Sequence, residues 1–133
     1  AFLHLIKPLG FSLDSREVRR AGLDYWQNVN LTLWDDFDKF IMKMVPQLGE
    51  MAVFSKRGAK SFRTMPSVKR LFLVFGSETR GLAKALLERY ARSTYYIPIT
   101  AETRSLNLST AAGIALYESL RSAEPFHGWP RIK

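Results

Sequence analysis

Residues 71–75, Leu-Phe-Leu-Val-Phe, constrain this chain more than any other segment. They are its longest uninterrupted apolar run, and Gly76 stops them at once. Five residues cannot cross a bilayer, which takes about 20 in a helix. A short apolar run closed by a glycine turn reads as a strand, and a strand with no polar face is covered on both sides. Residues 50–55 and 94–99 read the same way. Residues 1–6 do too: they lack a cationic start and a small-residue cleavage site, so they are taken as a strand ending at Lys7-Pro8 rather than as a leader.

Between these strands lie helical patterns. Asp14-Ser15 opens a short helix that Gly22 stops, and residues 29–33 have strand character. Asp35 or Asp36 can cap a helix with Phe37, Phe40, Ile41, Met44 and Val45 on one stripe, ended by Pro46. Further helices are expected over residues 82–90 and 107–122. Alternation of this kind predicts an α/β domain spanning residues 1–133, with a mostly parallel sheet and helices on both faces. Ligands of such sheets bind beyond the carboxyl ends of the strands, which directs attention to the loops after Ser55, Phe75 and Ile99.

Composition adds a charge. Twenty Lys and Arg against 12 Asp and Glu give +8. Residues 56–70 hold Lys56, Arg57, Lys60, Arg63, Lys69 and Arg70 without an acid. Such a block is a solvated loop or a contact surface for a phosphate backbone. The absence of cysteine excludes a disulfide scaffold, a thiolate zinc site and a cysteine nucleophile. His4 and His127 do not have ligand spacing, so no metal site is expected. No repeat or low-complexity segment interrupts the chain.

Two segments could carry chemistry. Gly76-Ser-Glu-Thr-Arg-Gly81 follows the clearest strand, with glycines that permit close backbone approach or positive φ. It is neither a dinucleotide fingerprint nor a P-loop, and a plain βα turn with a solvated Glu78–Arg80 pair fits equally. Arg104-Ser-Leu-Asn-Leu-Ser109 precedes the last helix, which Ser105 or Asn107 can cap. The free N–H groups of that helix start suit an anion or an adenine edge, although a buried α/β helix explains Ala111, Ala112 and Gly113 without any function.

Taken together and in order, these segments resemble a known family. Residues 73–82, then Ile97-Pro98-Ile99, then residues 104–111 resemble motifs 2 and 3 of the SpoU (TrmH-type) branch of the SPOUT RNA methyltransferases. Upstream, Lys7-Pro-Leu-Gly-Phe11 and Arg19-Arg-Ala-Gly-Leu-Asp-Tyr25 resemble its TrmL subgroup, and the likeness covers essentially the whole chain. The resemblance implies a parallel α/β fold with a deep C-terminal trefoil knot, S-adenosyl-L-methionine as cofactor and S-adenosylhomocysteine as product. It also implies a homodimer and a tRNA substrate, methylated on the 2′-oxygen of the wobble nucleotide.

By position, the resemblance assigns Phe54, Gly76, Ile97, Ser105 and Leu106 to the cofactor. Glu78, Asn107 and Ser109 become the catalytic set, with Glu78 and Asn107 fixing loops and the substrate ribose. Arg80, Arg104, Tyr117 and Arg121 become substrate contacts, joined by Arg19, Arg20, Arg131 and the basic block, with Trp129 or Tyr117 available to stack on a flipped base. Tyr117 fits a dimer interface equally. The family's motif 1, a strand and helix bearing an Asn and the catalytic Arg, lies upstream of Ala1, so this stretch is expected to be one βα unit short. A cytoplasmic enzyme is expected, with neither membrane nor metal partner; an organellar address would sit in that upstream segment. The other readings are a non-catalytic RNA-binding relative that has lost motif 1, and an unrelated nucleotide-binding α/β protein with a basic surface.

Overall fold

The structure is a computed structural model that describes residues 1–14 and 28–121. The expected helix opening at Asp14 and the residues Arg19, Arg20, His127, Trp129 and Arg131 fall wholly or mostly outside that range. The chain divides into two compact units, residues 1–45 and 46–133.

In the first unit, β1 (Leu3–Ile6) and β2 (Leu31–Trp34) pair in parallel, Leu3 opposite Leu31 and Ile6 opposite Trp34. Helix α1 (Phe37–Met44) packs on β2. Its stripe places Phe40 in the core, where the rings of His4 and Trp34 meet it edge-on at 5.3 and 5.7 Å. Of the two candidate caps, Asp36 does the capping and accepts from the Lys39 N–H at 2.7 Å. Asp35 instead bridges Lys39 and Lys7 at 2.8 and 3.0 Å, and those ammonium groups hold its carboxyl down at about 2. Because parallel strands need a crossover, their pairing is set by the aromatic cluster rather than by a local turn.

The second unit is built on β3 (Met51–Phe54), all four of whose residues are buried. β5 (Phe72–Val74) lies on one side of it; β6 (Thr94–Tyr96) lies on the other, with β4 (Lys60–Ser61) beyond, giving the order β4-β6-β3-β5. Every pairing is parallel, as the continuously apolar runs require. Helix α2 (Lys84–Arg89) follows β5. Helix α3 (Leu108–Leu120) packs on β5 and on the 3₁₀ turn Phe62–Thr64. Ala52, Phe54, Phe62, Tyr95 and Ala115 form the core, and the small residues of α3 allow that approach.

The basic block departs from a plain solvated loop. Lys60–Ser61 pairs with Tyr95–Tyr96, and Phe62 turns into the core. Arg70 is held by Glu50 at 2.6 Å, which draws the Glu50 carboxyl below its ordinary range. The apolar residues Phe62 and Met65 among the cations are what anchors the block, Phe62 in the core and Met65 packed against it.

Two outcomes follow for stability. Val45 ends α1 at φ 44°, a left-handed position that a β-branched residue enters at a cost. Val45→Gly is expected to raise stability by about 1 kcal/mol, read as a higher urea midpoint at unchanged m-value. His4 is partly buried, and its Nδ1 accepts from Trp34 Nε1 at 3.0 Å, so that nitrogen carries no proton. Burial lowers its pKa in the folded state. The folded protein therefore binds fewer protons than the unfolded chain, and stability is full above the ordinary histidine value and falls as pH drops through it. Thermal melts should show a lower midpoint at about pH 5 than at about pH 7.5, with a flatter profile in His4→Phe.

Candidate active site

The carboxyl ends of β3, β5 and β6 open onto a cavity of about 660 Å³, the size of a small-molecule site. The expected three loops line it: residues 54–57, residues 75–82 and, after β6, Ile97, Ile99 and residues 105–108. Phe54 and Phe75 form one wall, their rings stacked at 4.7 Å and 14°. They meet there because β3 and β5 are parallel neighbours that end side by side.

The turn after β5 is closed by its own backbone. The Gly81 N–H donates to Ser77 O at 2.9 Å, and Gly81 takes φ 67°. Gly76 is needed for a reason that differs from the expected approach of a ligand. A Cβ there would overlap the Gly81 carbonyl carbon and the Leu82 nitrogen, so the glycine lets the turn fold back on itself. Glu78 does not pair with Arg80. Its Oε1 accepts from Asn107 Nδ2 at 3.2 Å and, more weakly, from the Leu108 N–H at 3.4 Å.

Asn107, not Ser105, caps α3. Its Oδ1 accepts from Ser109 N at 2.9 Å, Ser109 Oγ at 2.5 Å and Thr110 N at 3.3 Å. The two ends of one carboxamide thus join the start of α3 to the turn after β5. The carboxylate sits at the helix N-terminus, where its charge is favourable.

Of the residues expected in the site, Phe54, Gly76, Glu78, Arg80, Ile97, Ser105, Leu106 and Asn107 all line the cavity. Ser109 does not line it but is bonded to Asn107. Arg104 is exposed and off the lining, and Tyr117 is 68% exposed on α3. Arg121 is also off the lining and pairs with Glu118 at 3.0 Å. Phe75, Lys56 and Arg57 line the cavity without having been singled out for it. The last two were legible only as members of a basic block. Among the described residues, no cluster of His, Asp and Glu has metal-binding geometry, and no helix is long and apolar enough to cross a membrane.

Residues 1–117, which include every part of this cavity, match the SpoU rRNA Methylase family. The chain belongs to the SpoU methylase family. A family relative in Burkholderia cenocepacia, a tRNA (cytidine(34)-2'-O)-methyltransferase, is 40% identical over 92% of this chain and 80% of its own length. A solved structure of a protein studied for the 2-OH methylation of C/U34 on tRNA is 43% identical with a TM-score of 0.77. It covers 90% of this chain and 77% of its own. An AdoMet-bound rRNA methyltransferase from Sinorhizobium meliloti is 25% identical with a TM-score of 0.77, over 93% of this chain and 47% of its own.

Gly76→Ala tests the turn. The added methyl group should open the Ser77–Gly81 closure and weaken S-adenosylhomocysteine binding at least about tenfold, equivalent to about 1.4 kcal/mol. Calorimetric binding as tight as that of the unaltered protein would mean that the turn does not shape the cavity.

Proposed function

We propose that this protein is an S-adenosylmethionine-dependent methyltransferase acting on the ribose 2′-hydroxyl of nucleotide 34 of tRNA. The observation that carries the reading is the Glu78–Asn107 brace across a cavity at three parallel strand ends. The cavity suits an adenosyl group. Phe54, Phe75, Ile97 and Leu106 offer apolar walls, and the backbone of residues 76 and 105–107 offers polar groups for an adenine edge. When bound, the cofactor supplies an electrophilic methyl group on a sulfonium.

The chain's own residues orient rather than react. Asn107 spends its oxygen on the α3 cap and its NH₂ on Glu78, so both side chains act as a brace that holds two loops around the cofactor and the ribose. Ser109 tightens that brace through its hydroxyl. Near-attack geometry of this kind can supply much of a displacement's rate enhancement. Arg80, on the cavity lining, would meet a phosphate of the substrate, with Arg104 on the exposed loop before α3.

The same reading includes the deep C-terminal knot, a homodimer and a cytoplasmic setting. The dimer is supported by the stripe Thr110, Ile114 and Tyr117 that α3 leaves exposed in one chain. A purely RNA-binding role gains nothing from a nucleoside-sized cavity with its brace in place.

The test is transfer of label from S-adenosylmethionine to tRNA by the full-length protein, with the product mapped to the 2′-oxygen of nucleotide 34. Asn107→Ala is expected to cost about 1 kcal/mol of stability through the lost cap. It should also lower kcat about a hundredfold, with a smaller loss of cofactor affinity. Cofactor binding without methylation of any tRNA would sink the assignment.

A further inference from the structure

The cavity mouth is positively charged in a way that its cofactor does not explain. Lys56, Arg57 and Arg80 line it against one acid, Glu78, whose carboxylate already accepts from Asn107 and Leu108. S-adenosylmethionine carries a sulfonium and an ammonium against one carboxylate, so added cations disfavour it on balance. An RNA backbone brings one negative charge per nucleotide.

Lys56 and Arg57 are exposed, yet the backbone that carries them is tied down from β6. The Ser55 N–H donates to Tyr95 O at 3.0 Å, and the Gly58 N–H to Ser55 O at 3.0 Å. Gly58 lies so close to the Tyr95 backbone that a Cβ would overlap it. The last tie is a side chain. Thr94 is 7% exposed, and its Oγ1 accepts from the Ala59 N–H at 3.0 Å while donating to Ala91 O at 2.9 Å. Three other cations of the block are engaged elsewhere, and Lys69 is exposed away from the cavity lining. Arg70 is bonded to Glu50, and Lys60 and Arg63 lie over the rings of Tyr95 and Phe62 at 5.9 Å.

We propose that Thr94 is a positioning residue that fixes residues 55–59 as a rim, on which Lys56 and Arg57 hold the phosphodiester beside the target nucleotide. This rests on tRNA being the substrate. Preorganisation is the physical point: a rim fixed before RNA arrives loses little entropy when phosphates dock.

The experiment measures tRNA affinity of the full-length protein by filter binding at several salt concentrations, alongside S-adenosylhomocysteine affinity by calorimetry. Lys56→Gln with Arg57→Gln should weaken tRNA binding at least about tenfold and flatten the log–log salt slope by about 1.4, two single-strand phosphates' worth. Cofactor affinity should stay within about twofold, and Lys84→Gln, which removes one charge on α2 outside the cavity lining, should alter neither. Thr94→Val should weaken tRNA binding about three- to tenfold without touching cofactor affinity, and Thr94→Ser, which keeps the hydroxyl, should restore it. An unchanged salt slope with weakened cofactor binding in the double variant would assign the rim to the cofactor carboxylate and overturn the proposal. So would a folded Thr94→Val protein with unaltered tRNA affinity. Binding is read without turnover, so a wild-type protein that never methylates tRNA, but loses this slope in the double variant, upholds the rim and sinks the methyl-transfer reading alone.

Discussion

Asn107 has a hydrogen-bonding group at each end of its carboxamide, and both are used inside the second unit. The oxygen satisfies N–H groups at the start of α3, and the NH₂ holds Glu78, 29 residues earlier in the chain. Without that side chain the first turn of α3 has free donors, and only the weaker Leu108 N–H bond to Glu78 still ties the turn after β5 to the start of α3. The cavity exists because these two loops stand on either side of the strand ends at a set distance. The brace occupies one oxygen of Glu78, and Lys56, Arg57 and Arg80 outnumber that single acid along the lining.

Those cations make a second division of labour visible. The interior of the cavity is aromatic and aliphatic, with Phe54 stacked on Phe75, and suits a flat nucleoside. Its edge carries Lys56, Arg57 and Arg80 and suits a polyanion. One site can thus hold a sulfonium cofactor inside and an RNA backbone outside, because the charges that attract the second stay at the solvent boundary. The net +8 of the chain acts over longer range and favours the approach of a polyanion.

Legibility followed burial. The runs Met51–Phe54 and Phe72–Val74 are apolar on both faces because β3 and β5 are covered on both faces, so their type and parallel pairing could be read directly. Helix ends were less plain. Asp35 and Asp36 are equivalent as capping side chains, and Lys7, 28 residues upstream, is one of the two cations that draw Asp35 away. Gly76 was legible as a residue that must be glycine, but the reason lay in the fold. The atoms a Cβ would strike belong to Gly81 and Leu82 and reach it only through the reversal of the turn. Residues 60–62 hid a strand and a core residue behind their charges, because two residues of pairing leave no periodic pattern.

The sequence by itself determined the class of fold, the strand-end loops that carry the site, and the family, since apolar runs and motif order are properties of adjacent residues. The tertiary structure alone decided which charges are committed and which stand free to act. Glu78 goes to Asn107, Arg70 to Glu50 and Asp35 to Lys7 and Lys39, while Lys56 and Arg57 are carried on a backbone that Thr94 holds from another strand. Each of these partnerships but the Lys39 one spans twenty or more residues of sequence. A side chain's partner at that range is selected by the packing of the sheet and not by any local preference of the chain.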